Sequence, residues 1–257
     1  MTNLTNKLAR DGSRLGKIDP RQNRLVGALP RQSWTNLEPL LQPIHMPLGK
    51  VLCGPGEAHR YLYFPISSTI AILSTLSTGA CVQIGLVGCE GLFGRAVFMD
   101  DESSSTRGVV QTAGTGLRMD ASLAKAEFER GGAVTRLILR YMQTLMVEVA
   151  QTAVCSRHHS PRQQVCRWLI STLDRTGGDE IGTTHELIGH MLGVRRETVT
   201  DAMRKLHEQG LVVPHRARIR LLDRAGLEEC ACESYALLKR NHEGLLTHLA
   251  RLSRAAL

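Results

Sequence analysis

The segment THELIGHMLGVRRETVTDAMRKLHEQGLV, Thr184 to Val212, constrains this chain more than any other part of it. Its opening, HELIGH, invites comparison with a zinc-protease helix. In such a helix two histidines stand four residues apart, so that both reach one ion from one face. Here His185 and His190 are five apart, and at about 100° per residue they diverge by roughly 140° around a helix. A one-face metal pair does not follow, and the whole stretch reads better another way. Thr184 is suited to cap a helix, as is Thr183. Leu187, Ile188, Met191 and Leu192 give that helix an apolar face. Gly189 has no side chain, so a second helix can approach it. Gly193 can adopt the positive φ that ends one helix and turns the chain sharply. The spacing then predicts a second helix from about Arg195 to Gln209, with Val199, Ala202, Met203 and Leu206 inward and Gly210 at its end.

The outward face of that second helix carries Arg196, Glu197, Thr200, Asp201 and Arg204. Arginine can bond guanine O6 and N7 together, and glutamate can accept from cytosine N4. Arg195, Thr198 and Lys205, with Thr184 at the start of the first helix, suit phosphate or flanking contacts. A solvated charged face is the ordinary fate of such a pattern. The agreement of turn, core and face favours nucleic acid instead. The following LVVPHRARIRLLD reads as strand, basic turn, strand, and would hold Arg216, Arg218 and Arg220 near a DNA backbone. The formal net charge of +8 agrees with an anionic partner.

The seven cysteines are scattered, without paired CxxC motifs or an N-terminal iron–sulfur cluster pattern. Reduced thiols in a cytoplasm fit best. Cys230 and Cys232 form a lone CxC, read as buried or surface thiols without a function. Cys155, His158 and His159 fall at a hinge, where packing is the expected role. No metal site or cofactor is expected. The N-terminus lacks an export signal and no run is long enough to cross a membrane.

Five segments are expected. Residues 1–22 read as a flexible tail. Residues 23–131 read as a β domain, entered through a helical stretch marked by Leu25, Leu29, Trp34, Leu37, Leu40 and Leu41. Its short period-2 runs include YLYFP, TIAILSTL, CVQIGLVG and RGVVQTAG, with a hairpin turning at Ser77 to Ala80 and an exposed polar loop at MDDESSSTR. Residues 132–157 form one long helix with an apolar stripe through Val134, Ile138, Tyr141, Leu145, Val149 and Thr152. That stripe could cover the β domain or pair with a second copy of the chain, and pairing is the expectation. Residues 158–228 hold the two-helix unit, its wing and a helix that starts at Pro161, buries Val165, Trp168, Leu169 and Leu173, and stops at GGDE. Residues 229–257 form a C-terminal helix.

LGVRRETVTDAMRKLHEQGLV followed by RARIRLLDRAGLE resembles the Crp/Fnr family of bacterial transcription regulators. MPLGKVLCGPGE, YLYFP and IGLVGCEGLFG are similar to the family's β-roll sensor, so the resemblance covers nearly the whole chain. It implies an α+β fold: an N-terminal β-roll of cyclic-nucleotide-binding type, a long dimerisation helix and a C-terminal winged helix-turn-helix. It implies a homodimer on a two-fold operator in double-stranded DNA, and gives the base-reading role to Arg196 and Glu197. Asp201 stands where the cyclic-AMP receptor branch has another reading arginine. In cyclic-nucleotide-binding members a glycine–glutamate turn holds the ribose and an Arg–Ser pair the phosphate. Gly88, Glu90 and Gly91 resemble that turn, while Arg107 is present without a following serine. These four are the ligand-binding candidates. Cyclic AMP is not the expected effector, and no other effector is identified.

The expectation is a cytoplasmic, homodimeric DNA-binding regulator, not an enzyme, for which RNA polymerase is a further partner to be expected and a membrane is not. The rival is a small-molecule sensor acting mainly through protein contacts, with DNA binding secondary. Binding to a palindromic duplex with steep salt dependence separates the two.

Overall fold

The computed structural model describes residues 18–99 and 104–254. The order at the N-terminus begins earlier than composition suggests. Pro20–Gln22 form a 3-10 turn capped by Asp19, inside the expected tail, of which residues 1–17 lie outside the described residues. The expected helical stretch breaks into α1 (Arg24–Gly27) and α2 (Arg31–Leu37), because Pro30 cannot continue the first. The buried Asn23 ties this segment to the β domain: its amide donates to the carbonyls of Pro65 and Gly91, at 2.9 and 3.0 Å.

Seven antiparallel strands form the β domain: β1 (Gln42–Met46), β2 (Val51–Cys53), β3 (Tyr61–Pro65), β4 (Thr69–Thr75), β5 (Cys81–Val87), β6 (Arg107–Thr112) and β7 (Gly114–Asp120). They make two sheets, ordered β2-β6-β4-β5 and β1-β7-β3. The β4–β5 hairpin turns where predicted, with Leu76 N–H bonded to the Ala80 carbonyl and Gly79 at φ 86°. Between the sheets lies a core of Met46, Leu62, Phe64, Ile70, Ile72, Val110, Leu117 and Met119, closed by Leu25, Val26 and Trp34. The polar segment after Phe98 is not wholly an exposed loop. Residues 100–103 lie outside the described residues, but Ser104 is buried and exchanges backbone bonds with Gly56 and Glu57.

The unbroken apolar run from Ile70 to Leu73 has a specific cause. Side chains alternate across a strand. Ile70 and Ile72 face the core of the roll, while Ala71 and Leu73 face a second core built with the C-terminal domain. A strand covered on both faces needs apolar residues at every position.

After α3 (Ala121–Glu129), two glycines at positive φ, Gly131 and Gly132, redirect the chain into α4 (Ala133–His158). Ser160 then caps α5 (Pro161–Thr176) through a capping box with Gln163, with Pro161 in the first turn, and Gly177 at φ 74° ends it. Beyond lie β8 (Glu180–Gly182), α6 (His185–Leu192), α7 (Arg196–Glu208), β9 (Val212–His215), β10 (Arg218–Leu221), α8 (Arg224–Cys230) and α9 (Glu233–Arg254). The wing strands form a sheet ordered β8-β10-β9. The second core gathers Val165, Trp168, Leu169, Ile188, Val199, Met203, Leu206 and Ile219. This domain docks on its own roll: Trp168 Nε1 donates to Gln83 at 2.9 Å and Gln111 to Thr172 at 3.2 Å.

The stripe assigned to dimer pairing is corrected here. Ile138, Tyr141 and Leu145 are buried in the roll core of the same chain, and Val134 packs half-buried against it. Val149 is half-buried as well. The opposite side of α4 exposes Leu139, Met146 and Val154. The α9 helix packs along α4 on a third side, with Ser234 bonded to Gln151 and Leu245 in the roll core.

Candidate nucleic-acid interface

Thr184 caps α6 as predicted, its hydroxyl accepting from Leu187 N–H at 3.1 Å. The turn that follows depends on two glycines. Gly193 closes α6 at φ 67°, and Gly189 lies so close to the next segment that a Cβ there would sit 2.9 Å from the Val194 carbonyl oxygen. These two positions set how α7 crosses α6. Val199, Ala202, Met203 and Leu206 of α7 are buried, which leaves one face of the helix to solvent.

On that face Arg196, Glu197, Thr200, Asp201, Arg204 and Lys205 are exposed, and Thr198 is half-buried. Arg195 occupies the N-cap of α7 with no capping bond from its side chain. The first turn therefore presents helix N–H groups and two arginines together, a setting that favours a phosphate. Further along, Asp201 holds Arg204 at 2.7 Å and Lys205 at 2.8 Å, and Arg204 also meets Glu208 at 2.7 Å. The C-terminal half of the face is thus internally neutralised, whereas the first turn keeps an excess of positive charge.

A groove of about 310 Å³ separates this first turn from the wing and is lined by Thr184, His185, Glu186, Arg196, His215 and Arg218. The wing turn passes through Ala217 at φ 57°, leaving Arg216 exposed at its tip. Arg218 and Arg220 are bound to Glu180 at 2.8 Å and Asp179 at 3.1 Å, acidic residues from the approach to and start of β8. His185 is a groove residue that sequence reasoning passed over after rejecting a zinc role. Its Nδ1 lies 3.0 Å from the Thr200 hydroxyl, which also donates to the Arg196 carbonyl. Burial, with the Arg196 cation beside it, holds its imidazole below the ordinary histidine range.

The ligand candidates in the roll have other partners. Glu90 is buried and accepts from Arg175 Nε at 2.8 Å and from Gly88 N–H at 3.2 Å. Arg175 also donates to Glu148 at 2.9 Å, and Glu148 accepts from Leu86 N–H at 3.1 Å. A Cβ on Gly88 would come within 2.6 Å of the Arg175 Cβ, and one on Gly91 would collide with the Tyr141 ring. The glycine–glutamate turn therefore seats α5 and α4. Arg107 opens β6 opposite Leu73 and is exposed. The structure does not gather the four into one pocket.

Sequence spacing also missed a cluster at the end of α4. The Sγ atoms of Cys155 and Cys232 stand 3.4 Å apart, with His159 beside them. Of the CxC pair, Cys232 joins this cluster, while Cys230 lies 3.3 Å from Arg162.

Residues 163–230 match the family described as the Crp-like helix-turn-helix domain. No curated protein sequence matches the chain. Among solved structures, FixK2 of Bradyrhizobium japonicum is similar at a TM-score of 0.64 and 16% identity, over 75% of this chain and 98% of that one. The c-di-GMP-responsive global regulator CLP of Xanthomonas campestris is similar at 0.62 and 13%, over 75% and 99%. A transcriptional regulator of the CRP/FNR family from Thermus thermophilus is similar at 0.57 and 18%, over 74% and 98%. The chain thus carries a Crp-like helix-turn-helix domain and has the fold of Crp/Fnr-type transcription regulators.

Proposed function

We propose that this protein is a homodimeric transcription regulator that reads a two-fold operator in double-stranded DNA through α7. One observation carries the reading: the first turn of α7 presents Arg195, Arg196 and Glu197 to solvent beside a groove whose wing side carries Arg218. A helix-turn-helix enters the major groove with this end of its second helix. Arg196 and Glu197 are the base readers, and Arg195, Thr198, Arg216 and Arg218 hold phosphate. The second copy pairs through the exposed side of α4, where Leu139, Met146 and Val154 lack cover within one chain. The protein acts by binding rather than turnover, works in the cytoplasm and meets RNA polymerase at its promoters. No described helix is long and apolar enough to cross a membrane.

The signal reaches the roll by chemistry other than cyclic AMP. The engagement of Glu90 by Arg175, and the exposed position of Arg107, support this. Calorimetry with cyclic AMP and cyclic GMP is expected to show nothing tighter than about 100 µM, or roughly −5.5 kcal/mol. The DNA reading is tested by selecting a duplex from a random pool and titrating it in a salt series. A palindromic product bound with a steep salt slope supports it. Failure to enrich any sequence would favour the rival, a sensor that acts through protein contacts.

A further inference from the structure

At the joint between α4 and α5 two side chains of metal-ligating type meet a third from a distant part of the chain. Cys155 and His159 lie on the last turn and C-cap of α4, four residues apart and on one face. Cys232 comes from the link between α8 and α9. The ligand atoms of all three lie within 4.8 Å of one another, and the two Sγ atoms are 3.4 Å apart. Cys155 is 0% and Cys232 3% exposed, and the His159 side chain is 10% exposed.

We propose that Cys155, His159 and Cys232 form a binding site for a thiophilic divalent cation of the zinc type. Around a tetrahedral zinc, two thiolates stand about 3.8 Å apart and a thiolate and imidazole about 3.6 Å, from bond lengths of about 2.3 and 2.0 Å. The Sγ–Sγ separation of 3.4 Å is slightly short of the first value, and the 4.8 Å limit on the three ligand atoms accommodates the second. His159 supplies an independent sign of a ligand. Its Nε2 lies 3.0 Å from Glu233 Oε2, while its Nδ1 is buried with no hydrogen-bond partner. An imidazole held at one nitrogen by a carboxylate and presenting the other is the usual way a histidine is oriented toward a metal. We assign Nδ1 as the ligand atom and Glu233 as its positioning residue.

The charges balance as well. Two thiolates neutralise a divalent ion, and the Glu233 carboxylate is left to solvent, its side chain being 82% exposed. Loading the ion releases the thiol protons to solvent. Three protein ligands leave one position for water. The bound ion would pin the start of α9 to the joint through which α4 leads into the helix-turn-helix domain.

The test uses the full-length reduced protein, freed of metal by a chelator and titrated with cobalt(II). The expected result is a thiolate-to-cobalt charge-transfer band saturating at one equivalent per chain and displaced by zinc. Cys232→Ser and Cys155→Ser should each lose the band. Cys230→Ser should keep it, and Glu233→Gln should weaken affinity by about tenfold or more. Because Cys155 and Cys232 are buried, a second readout that needs no variant to fold is alkylation of the wild-type protein in mild denaturant: zinc should slow labelling of Cys155 and Cys232 while leaving that of Cys230 unchanged. Absence of the band and of protection, or a band that survives in Cys232→Ser, would overturn the proposal. Formation of a Cys155–Cys232 disulfide without cobalt uptake would do so too. None of these measurements uses DNA, so their outcome is separate from that of the operator reading.

Discussion

Arg175, in the last turn of the first helix of the helix-turn-helix domain, lies 2.8 Å from Glu90 in the β-roll, and both side chains are more than nine-tenths buried. Glu148 of α4 completes the cluster at 2.9 Å from the same guanidinium. One cation thus joins the roll, the long helix and the helix-turn-helix domain. Burial alone would raise the Glu90 carboxyl, but Arg175, with help from His242 and hydrogen bonds, holds it below the usual carboxylate range.

Replacing Arg175 with methionine strands two buried carboxylates. The expected cost is about 3–5 kcal/mol, because breaking a buried ion pair leaves charge uncompensated. Glu90→Gln should cost less, since the amide oxygen still accepts from Arg175 and Glu148 remains. Urea unfolding measures both. A loss below about 0.5 kcal/mol for Arg175→Met, within the range of an ordinary surface change, would show that the cluster is dispensable.

His242 of α9 lies beside the same cluster, with its Nε2 3.7 Å from Glu148. Burial and then Arg175 hold its imidazole below the ordinary histidine value, against the pull of Glu148, Glu90 and Asp174. The unfolded chain therefore takes up this proton at higher pH than the folded one. The stability His242 contributes is whole above about pH 6.5 and is lost as pH falls from there through the folded value. Glu90 behaves with the same sign in a lower window, beginning below about pH 4.3. Denaturant midpoints across pH should show both limbs, and His242→Gln should shrink the upper one, leaving the share of His185, which is shifted the same way. An unchanged upper limb in that variant would place its origin in another histidine.

Much of this arrangement is legible in the sequence where its causes are local. A capping threonine, two glycines and a 3.6-residue period define α6, the turn and α7 within a few dozen residues, and the hairpin at Ser77 to Ala80 is just as local. The faces of α4 are ambiguous in sequence because both of its sides carry apolar residues, and only the position of the roll decides which side is core. The Glu90–Arg175 pair spans 85 residues and the Cys155–Cys232 contact 77. In sequence, an arginine in the last turn of α5 resembles an ordinary complement to the helix dipole. The isolated CxC gives no hint that one of its thiols meets α4.

The assignment of α4 faces makes a direct prediction about assembly. Met146 is 68% exposed at the middle of the uncovered side. Met146→Glu should weaken the dimer while leaving the melting of the separate chain little changed. Ile138→Asp should instead unfold the protein, since it buries a charge in the roll core. Sedimentation at micromolar concentration distinguishes them. A fully dimeric Met146→Glu would move the pairing surface off this side of α4.

Arg196 and Arg218 line the same groove but should contribute to DNA binding differently. Arg196 opens the first turn of α7, where a helix-turn-helix meets base edges. Arg218 begins the wing strand β10 and is held by Glu180, an exposed pair that costs little to share with a phosphate. Arg196→Ala should cost about 1–3 kcal/mol on the selected operator and relax preference at one base pair per half-site. Arg218→Ala should weaken all duplexes alike and lower the salt slope by about one, the signature of one lost phosphate contact. Half-sites about one helical turn apart are expected for the dimer. Salt-series titrations of both variants against operator and scrambled DNA separate the two roles. Equal loss on both duplexes for Arg196→Ala would make its role electrostatic. Base reading would then pass to Glu197 or to Arg204, which Asp201 and Glu208 would first have to release.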